Sequence, residues 1–575
     1  MDFQRIGLVA ALAVISYLMV LQWQSDYGVQ TQTVASAPVT SYSSAPDLSV
    51  PTAESGNTAP TASDTPASDI PAVDSQTTEQ PSVSSAPAEL SSQSQQGGLV
   101  KVTTDTLDVL IDTYGGDIIQ TALPGYLAQL GSDQSFILLE QNDNRVYTAQ
   151  SGLTGTNGPD AKGERPRYTI SQSEYQLTDG EDNLNVDLVL VQDNGVIITK
   201  RFTFNRGDYL VKVEYLINNQ SNQQWQGNLF GQIKRDSSAD PSSQTSMGMQ
   251  SYLGPVFSNT ENNFEKYAFD DIDDSPYKGK SQAGWVAMLQ HYFVSAWVPN
   301  PEQSHNYFAR ERNGNYLAGF VSPSIDVAPG QQGSTSASFY AGPKIQEALE
   351  QVAPHLKLTV DYGWLWWIAQ PLFWLLTLIQ GVVVNWGLAI ILVTVVVKGL
   401  FFPLSAKAYK SMAKMRAAGP ELARLKELYG DDRQKMSQAM MELYKKEKIN
   451  PLGGCLPILI QMPVFIALYW VLLESVELRH APFMLWIQDM SVMDPYFVLP
   501  ILMGITMFVQ QTLNPTPPDP MQAKVMKLLP FMFTFFFLWF PAGLVLYWVV
   551  NNMLSIAQQW VITRNIEAEV AARKS

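Results

Sequence analysis

Apolar and polar positions alternate on three different rhythms along the chain. Ile6 to Leu21 is apolar apart from Ser16, residues 24–360 are mostly polar, and residues 364–562 are dominated by long apolar runs. The first run follows Arg5 and has the outline of a signal peptide or an anchor. Gln22, Trp23 and Gln24 follow it in place of a small-residue cleavage site, and Ala35 to Ala37 lies too far downstream. Residues 1–23 are therefore read as an uncleaved transmembrane anchor with its amino end in the cytoplasm.

Period-two alternation marks residues 99–345. Val186 to Val191 alternates, Asp193-Asn194-Gly195 supplies a turn, and Val196 to Phe204 returns. Asn205-Arg206-Gly207-Asp208 then leads into Tyr209 to Ile217. Leu229 to Ile233, Trp285 to Leu289, Tyr292 to Val298 and Tyr316 to Val321 have the same character. Many strands at this spacing predict an all-β antiparallel sandwich.

Beyond residue 345 the pattern becomes helical. Trp364, Trp366, Trp367 and Trp374 crowd a stretch broken at Pro371, which predicts an interfacial segment over 346–381. Spans are expected at 382–402, 456–473 and 496–511. Leu528 to Ile562 is 35 residues of apolar run, about 52 Å as one helix against a hydrocarbon core of about 30 Å. It is divided at Pro541-Ala542-Gly543 into spans 528–540 and 542–562, followed by a tail, 563–575. With the anchor this makes six spans.

Between the first two of these spans, 403–450 reads as a helical hairpin. Met412, Met415, Leu422, Leu425 and Leu428 share one side of the first arm, and Met436, Met440, Leu443 and Tyr444 recur in the second. Gly430-Asp431-Asp432 turns the chain, and Pro420 kinks or restarts the first arm. A solvated connector and a docking surface both fit this pattern.

Composition and charge orient these pieces. Residues 24–98 are rich in Ser, Thr, Pro, Ala and Gln, which predicts a disordered linker. The net charge of −16 argues against nucleic acid as a partner. Residues 24–370 hold 18 Lys and Arg against 39 Asp and Glu, whereas 403–455 hold 11 against 6. Positive charge marks the cytoplasmic side, so both termini are expected inside and the acidic domain outside. Cys455 is the single cysteine, and His291, His305, His355 and His480 are not at ligand spacing, so no disulfide, metal or cofactor is expected. No catalytic triad, phosphate loop or paired intramembrane carboxylates stand out, and a non-enzymatic role is expected.

The candidate chemistry lies inside the apolar runs. Lys398 interrupts Ile390 to Phe402, where a lysine at a helix centre costs about 2.5–3.5 kcal/mol. Snorkelling along its stem to the headgroups is the alternative, because the helix ends about four residues later. Thr394 lies one turn before it. Tyr547, Asn551, Ser555 and Gln559, with Gln558, form a polar stripe on the last span, and Gln461 and Gln510 add amides on two others. Single amides serve as interhelical glue; several together predict a wet cavity in which a cation attracts acidic groups. A solute transporter using this cavity, an intramembrane hydrolase and a structural anchor for the outer domain are readings that such a pattern allows. A transporter would carry internal repeats and paired broken helices, which are not visible.

Four segments resemble a known family: NPLGGCLPILIQMPVFIALY (450–469), FFLWFPAGLVLYWVVNN (536–552), DPMQAKVMKLLP (519–530) and VDYGWLWWIAQPLF (360–373). They are similar to the bacterial insertases of the YidC/Oxa/Alb family, and GWVAMLQHYFVSAWVP (284–299) resembles the large periplasmic domain of its Gram-negative members. The resemblance implies a five-helix core after the anchor, a periplasmic β-supersandwich, and an inner-membrane insertase whose hydrophilic groove opens to cytoplasm and lipid. It implies a groove cation, usually arginine, at the position of Lys398, and a groove aromatic pair at Tyr547 and Trp548. Nascent inner-membrane proteins, the Sec translocon, the ribosome, the signal recognition particle pathway and membrane lipids are the partners it implies. The short, mildly basic tail speaks against strong ribosome binding.

Overall fold

The computed structural model describes residues 69–71, 98–161, 163–243, 251–429, 432–446, 456–514 and 520–574. The expected anchor, nearly all of the linker, Gly430-Asp431 and Cys455 lie outside the described residues.

Residues 99–343 build two sheets. A ten-stranded sheet runs from Tyr277–Gln282 through Ser304–Arg312, Asn315–Val327, Trp225–Arg235 and Arg145–Thr154 to Glu174–Gln176. A nine-stranded sheet runs from Glu265–Lys266 through Phe293–Pro299, Gln332–Pro343 and Leu210–Asn219 to Thr169–Ile170. The expected hairpin is present: Asn183–Val191 pairs antiparallel with Val196–Asn205, with Gly195 at φ +89°. Only glycine adopts that conformation without strain. Alternate residues of Val196–Asn205 are buried, as one core-facing side requires. Trp297 crosses between the sheets, donating from Nε1 to the Gln232 carbonyl at 3.1 Å, and Tyr147 Oη meets Ser295 Oγ at 2.7 Å. Large buried side chains that keep a polar handle satisfied hold the two sheets in one register.

One short helix, α1 (Phe269–Asp274), lies within the sandwich sequence. The helical part follows as α2 (Gln346–Val352), α3 (Trp366–Val383), α4 (Trp386–Leu400), α5 (Phe402–Ala417), α6 (Gly419–Tyr429) and α7 (Arg433–Lys446). It continues with α8 (Leu456–Glu474), α9 (Val498–Leu513), α10 (Pro520–Phe536) and α11 (Ala542–Lys574).

Several bounds differ from the sequence pattern. The break expected at Pro371 is absent: α3 runs through it, with Pro371 as its sixth residue, at the cost of one i to i−4 hydrogen bond. The break comes instead at Val384, in the left-handed region at φ 55°, and Asn385 caps α4 by accepting from the Leu388 amide at 2.9 Å. The run expected as 382–402 is thus a 15-residue helix, which turns by 68° into α5. Gly363–Val383, placed at the interface by its tryptophans, is the one described helix long and apolar enough to cross a membrane alone. α10 starts at Pro520, eight residues before the expected span, and α11 continues through the segment expected as a tail.

The sandwich rests on one end of these helices. Lys344 Nζ donates to Glu474 Oε2 at 2.7 Å, with both side chains at most 3% exposed. His291 Nε2 lies 2.9 Å from the Leu473 carbonyl, and Arg479 donates to the Leu127 carbonyl at 2.7 Å.

Candidate functional site

Lys398 lies in the last turn of α4, whose Leu, Ile and Val residues pack against α3 and α11. Its side chain does not run outward along the helix. Nζ donates to Ser555 Oγ at 2.7 Å on α11 and to Gln461 Oε1 at 3.3 Å on α8. Gln461 Nε2 reaches Asn551 Oδ1 at 3.4 Å, and Ser555 donates back to the Asn551 carbonyl at 2.8 Å. Three helices therefore converge on one ammonium that is 3% exposed. Residues four apart on a helix share a face, which puts Asn551 and Ser555 side by side. The two hydrogen bonds offset part of the cost of taking the charge out of water. Among the described residues no carboxylate lies within ion-pair distance of it, so the charge is solvated only by neutral groups.

The remaining predicted residues divide between this cluster and its surroundings. Thr394 is buried one turn away, but its hydroxyl donates to the Ile390 carbonyl at 2.6 Å and so supports the helix. Gln559 continues the stripe downward, donating to the Leu513 carbonyl at 3.1 Å and to Asn514 Oδ1 at 3.2 Å. Tyr547 stacks on Phe465 with ring centroids 5.7 Å apart, and Trp548 meets the same ring edge-on at 4.8 Å. These two are packed aromatic walls above the cluster. Of the hairpin residues, Met412 packs beside Tyr409 and Ala413 against Ile562 of α11. Met415, Leu425, Met436 and Met440 are half-buried.

Sequence reasoning missed two sets of residues. Tyr409 of α5 reaches Ser555, bringing the hairpin to the cluster. The end nearest the sandwich is closed by polar side chains of the 479–497 loop. Asp494 is fully buried and accepts from the Trp486 indole at 2.9 Å and from the Leu499 amide at 2.7 Å. The Ala542 and Gly543 amides at the start of α11 donate to the Val492 and Met490 carbonyls at 2.7 and 3.0 Å. Two aspartates in a short loop gave no signal of this; only the nearby Pro541 break hinted that amides there needed partners. The cluster thus lies toward one end of the helices while the other end is plugged.

Residues 99–375 match the family model described as the YidC periplasmic domain, and residues 378–569 match that described as the 60Kd inner membrane protein. The chain is 56% identical over 577 residues to the membrane protein insertase YidC of Pseudomonas fluorescens (strain SBW25), covering 99% of both. The chain belongs to the YidC family of membrane protein insertases. A second YidC, from Marinomonas sp. (strain MWYL1), is 55% identical and covers 99% of this chain and 100% of its own. A crystal structure described as an active YidC insertase with the first transmembrane domain resolved is 17% identical, with a TM-score of 0.37, covering 80% of this chain and 92% of that one. The sandwich is thereby the YidC family's periplasmic domain, and the helical part its inner-membrane portion. A solute-transporter reading has no support among these relatives.

Proposed function

We propose that this chain inserts segments of inner-membrane proteins into the bilayer by way of the Lys398 cluster. The observation that carries the reading is the inward ammonium, held by Ser555 and Gln461 with no carboxylate partner among the described residues. An acidic segment entering from the cytoplasm replaces neutral hydrogen-bond partners with a counter-charge, and the attraction is stronger there than in water because the surroundings are less polarisable. Gln461, Asn551, Ser555 and Gln559 supply exchangeable hydrogen bonds along its path, with Thr394, Tyr547 and Trp548 as walls. The hairpin residues Met412, Met415, Leu425, Met436 and Met440 offer an adaptable apolar surface for the incoming chain. The apolar part of the substrate then moves sideways into lipid, and burial of its surface supplies the drive. No step calls for a nucleotide or an active-site nucleophile.

The helices of this reading are short. α4 has 15 residues and α9 has 16, about 22 and 24 Å long against a core of about 30 Å. Short helices favour a locally thin bilayer, which lowers the cost of moving a polar tail across. In the proposed topology the anchor and five core spans place both termini in the cytoplasm and the sandwich in the periplasm. The Sec translocon and the ribosome-bound signal recognition particle pathway are the proposed partners for delivery. Substituting Lys398→Ala is expected to slow insertion of a substrate with an acidic translocated tail about tenfold, equal to about 1.4 kcal/mol of lost stabilisation. A neutral-tailed substrate and the Lys398→Arg variant are expected to be little affected. Protease protection in reconstituted vesicles measures both, and equal rates for Lys398→Ala and the unsubstituted protein on the acidic substrate would overturn the role of the charge.

A further inference from the structure

The linker composition cannot support a core of its own. Even so, residues 69–71, from the middle of that stretch, lie against the face of the ten-stranded sheet. Asp69 is met by three cations: its carboxylate pairs with Lys234 Nζ at 2.7 Å and Arg312 Nε at 3.4 Å, and its carbonyl accepts from Arg310 Nη2 at 2.8 Å. Gln232 Nε2 also donates to that carbonyl at 3.2 Å. Ile70, 6% exposed, packs in a cluster with Phe230 and Val321, and Phe308 flanks it. Thr154 Oγ1 lies 3.5 Å from the Pro71 carbonyl.

These groups form a built site rather than a chance contact. Phe230, Gln232 and Lys234 are alternate residues of one strand and so point to one face. Phe230 is fully buried and Val321 is 6% exposed with the tripeptide in place. Without it, an apolar patch bordered by three cations would face water on a sheet of an otherwise acidic domain. Proline removes an amide that would need a partner and restricts the residue before it to extended backbone, which favours the seated form.

We propose that the sandwich carries a peptide-docking site whose resident ligand is Asp69-Ile70-Pro71 of the same chain. The carboxylate selects the cationic edge, the branched side chain fills the apolar patch, and proline stiffens the segment. Docking divides the linker into two arms and shortens the tether ahead of the sandwich. Docking leaves 45 residues (24–68) between the expected anchor and the sandwich, rather than 74 (24–97). For a flexible chain that reduces the r.m.s. span from about 47 to about 37 Å. Tethering by residues 72–97 keeps the segment at an effective concentration on the order of millimolar, so a weak intrinsic affinity suffices.

Spin labels at cysteines replacing Ala72 and Glu311, in full-length Cys455→Ser protein in lipid nanodiscs, test the site. Docking gives one narrow distance distribution. A free 26-residue arm would spread over about 28 Å r.m.s.. Ile70→Asp and Asp69→Lys are each expected to broaden the distribution, and Asp69→Lys combined with Lys234→Asp to narrow it again. A broad distribution in the protein with native residues at 69–71, or a narrow one that survives both substitutions, would overturn the proposal.

Discussion

A lysine four residues from the end of an apolar run has two places to put its charge, and the sequence leaves both open. The choice is made by side chains far away in the chain: Gln461 is 63 residues away and Ser555 is 157. Periodicity showed that Asn551 and Ser555 share a face, because i, i+4 spacing is a local property. Which helix that face meets is a matter of tertiary packing. The Lys344–Glu474 pair was invisible for the same reason, since 130 residues separate its members and neither stands in a telling motif. Both groups are almost wholly buried, so removing one strands the other charge in a poor solvent. Lys344→Met is expected to destabilise the docked sandwich by about 3–5 kcal/mol, whereas Lys344→Met with Glu474→Leu should recover most of that. Chemical denaturation of the three proteins in one detergent measures the cycle. Additive losses in the double variant would show that the pair does not act as a unit.

At the scale of elements, breaks were legible where a residue type forces them. Pro541 and Gly543 sit where one apolar run becomes two helices, and the chain pauses at Ala418 before Pro420 restarts α6. Breaks set by tertiary context were not legible. Val384 takes a left-handed conformation that its side chain disfavours, and Pro371 is tolerated inside α3. Close helix approach is a further case. Gly504 is buried in α9, and a Cβ there would collide with the Thr534 hydroxyl of α10. In a bilayer such small-residue contacts replace the hydrophobic drive between helices. Gly504→Leu is expected to force α9 and α10 apart and destabilise the helical part by about 1–3 kcal/mol. Adding Thr534→Ala should restore part of the loss. Thermal unfolding in nanodiscs measures both, and an unchanged midpoint for Gly504→Leu would show that the two helices are not closely held.

At the scale of the whole molecule, α8 links the Lys398 cluster to the sandwich. Gln461 contacts the Lys398 ammonium near one end of this helix, and Glu474 holds the sandwich at the other. Thirteen residues separate them, about 20 Å along the helix axis. The 479–497 loop, with Asp494 buried inside it, lies between the sandwich and the start of α11. The sandwich therefore braces the closed end of the helices and, among the described residues, touches no side chain of the Lys398 cluster. Deleting residues 99–340 removes both sheets, including all but the last three residues of Gln332–Pro343, and keeps Lys344 and α2. Insertion of an acidic-tailed substrate is expected to stay above about half the full-length rate, since in the proposed mechanism the step that sets it is stabilisation of charge at Lys398. A structural anchor for the sandwich would instead lose all function with the domain. Protease protection with the deletion variant in vesicles separates the two, provided the same vesicles show Lys398→Ala still impaired. If the deletion abolished insertion while the helices stayed folded, the closed end would have to take part in transfer, and the path would run the full length of α8.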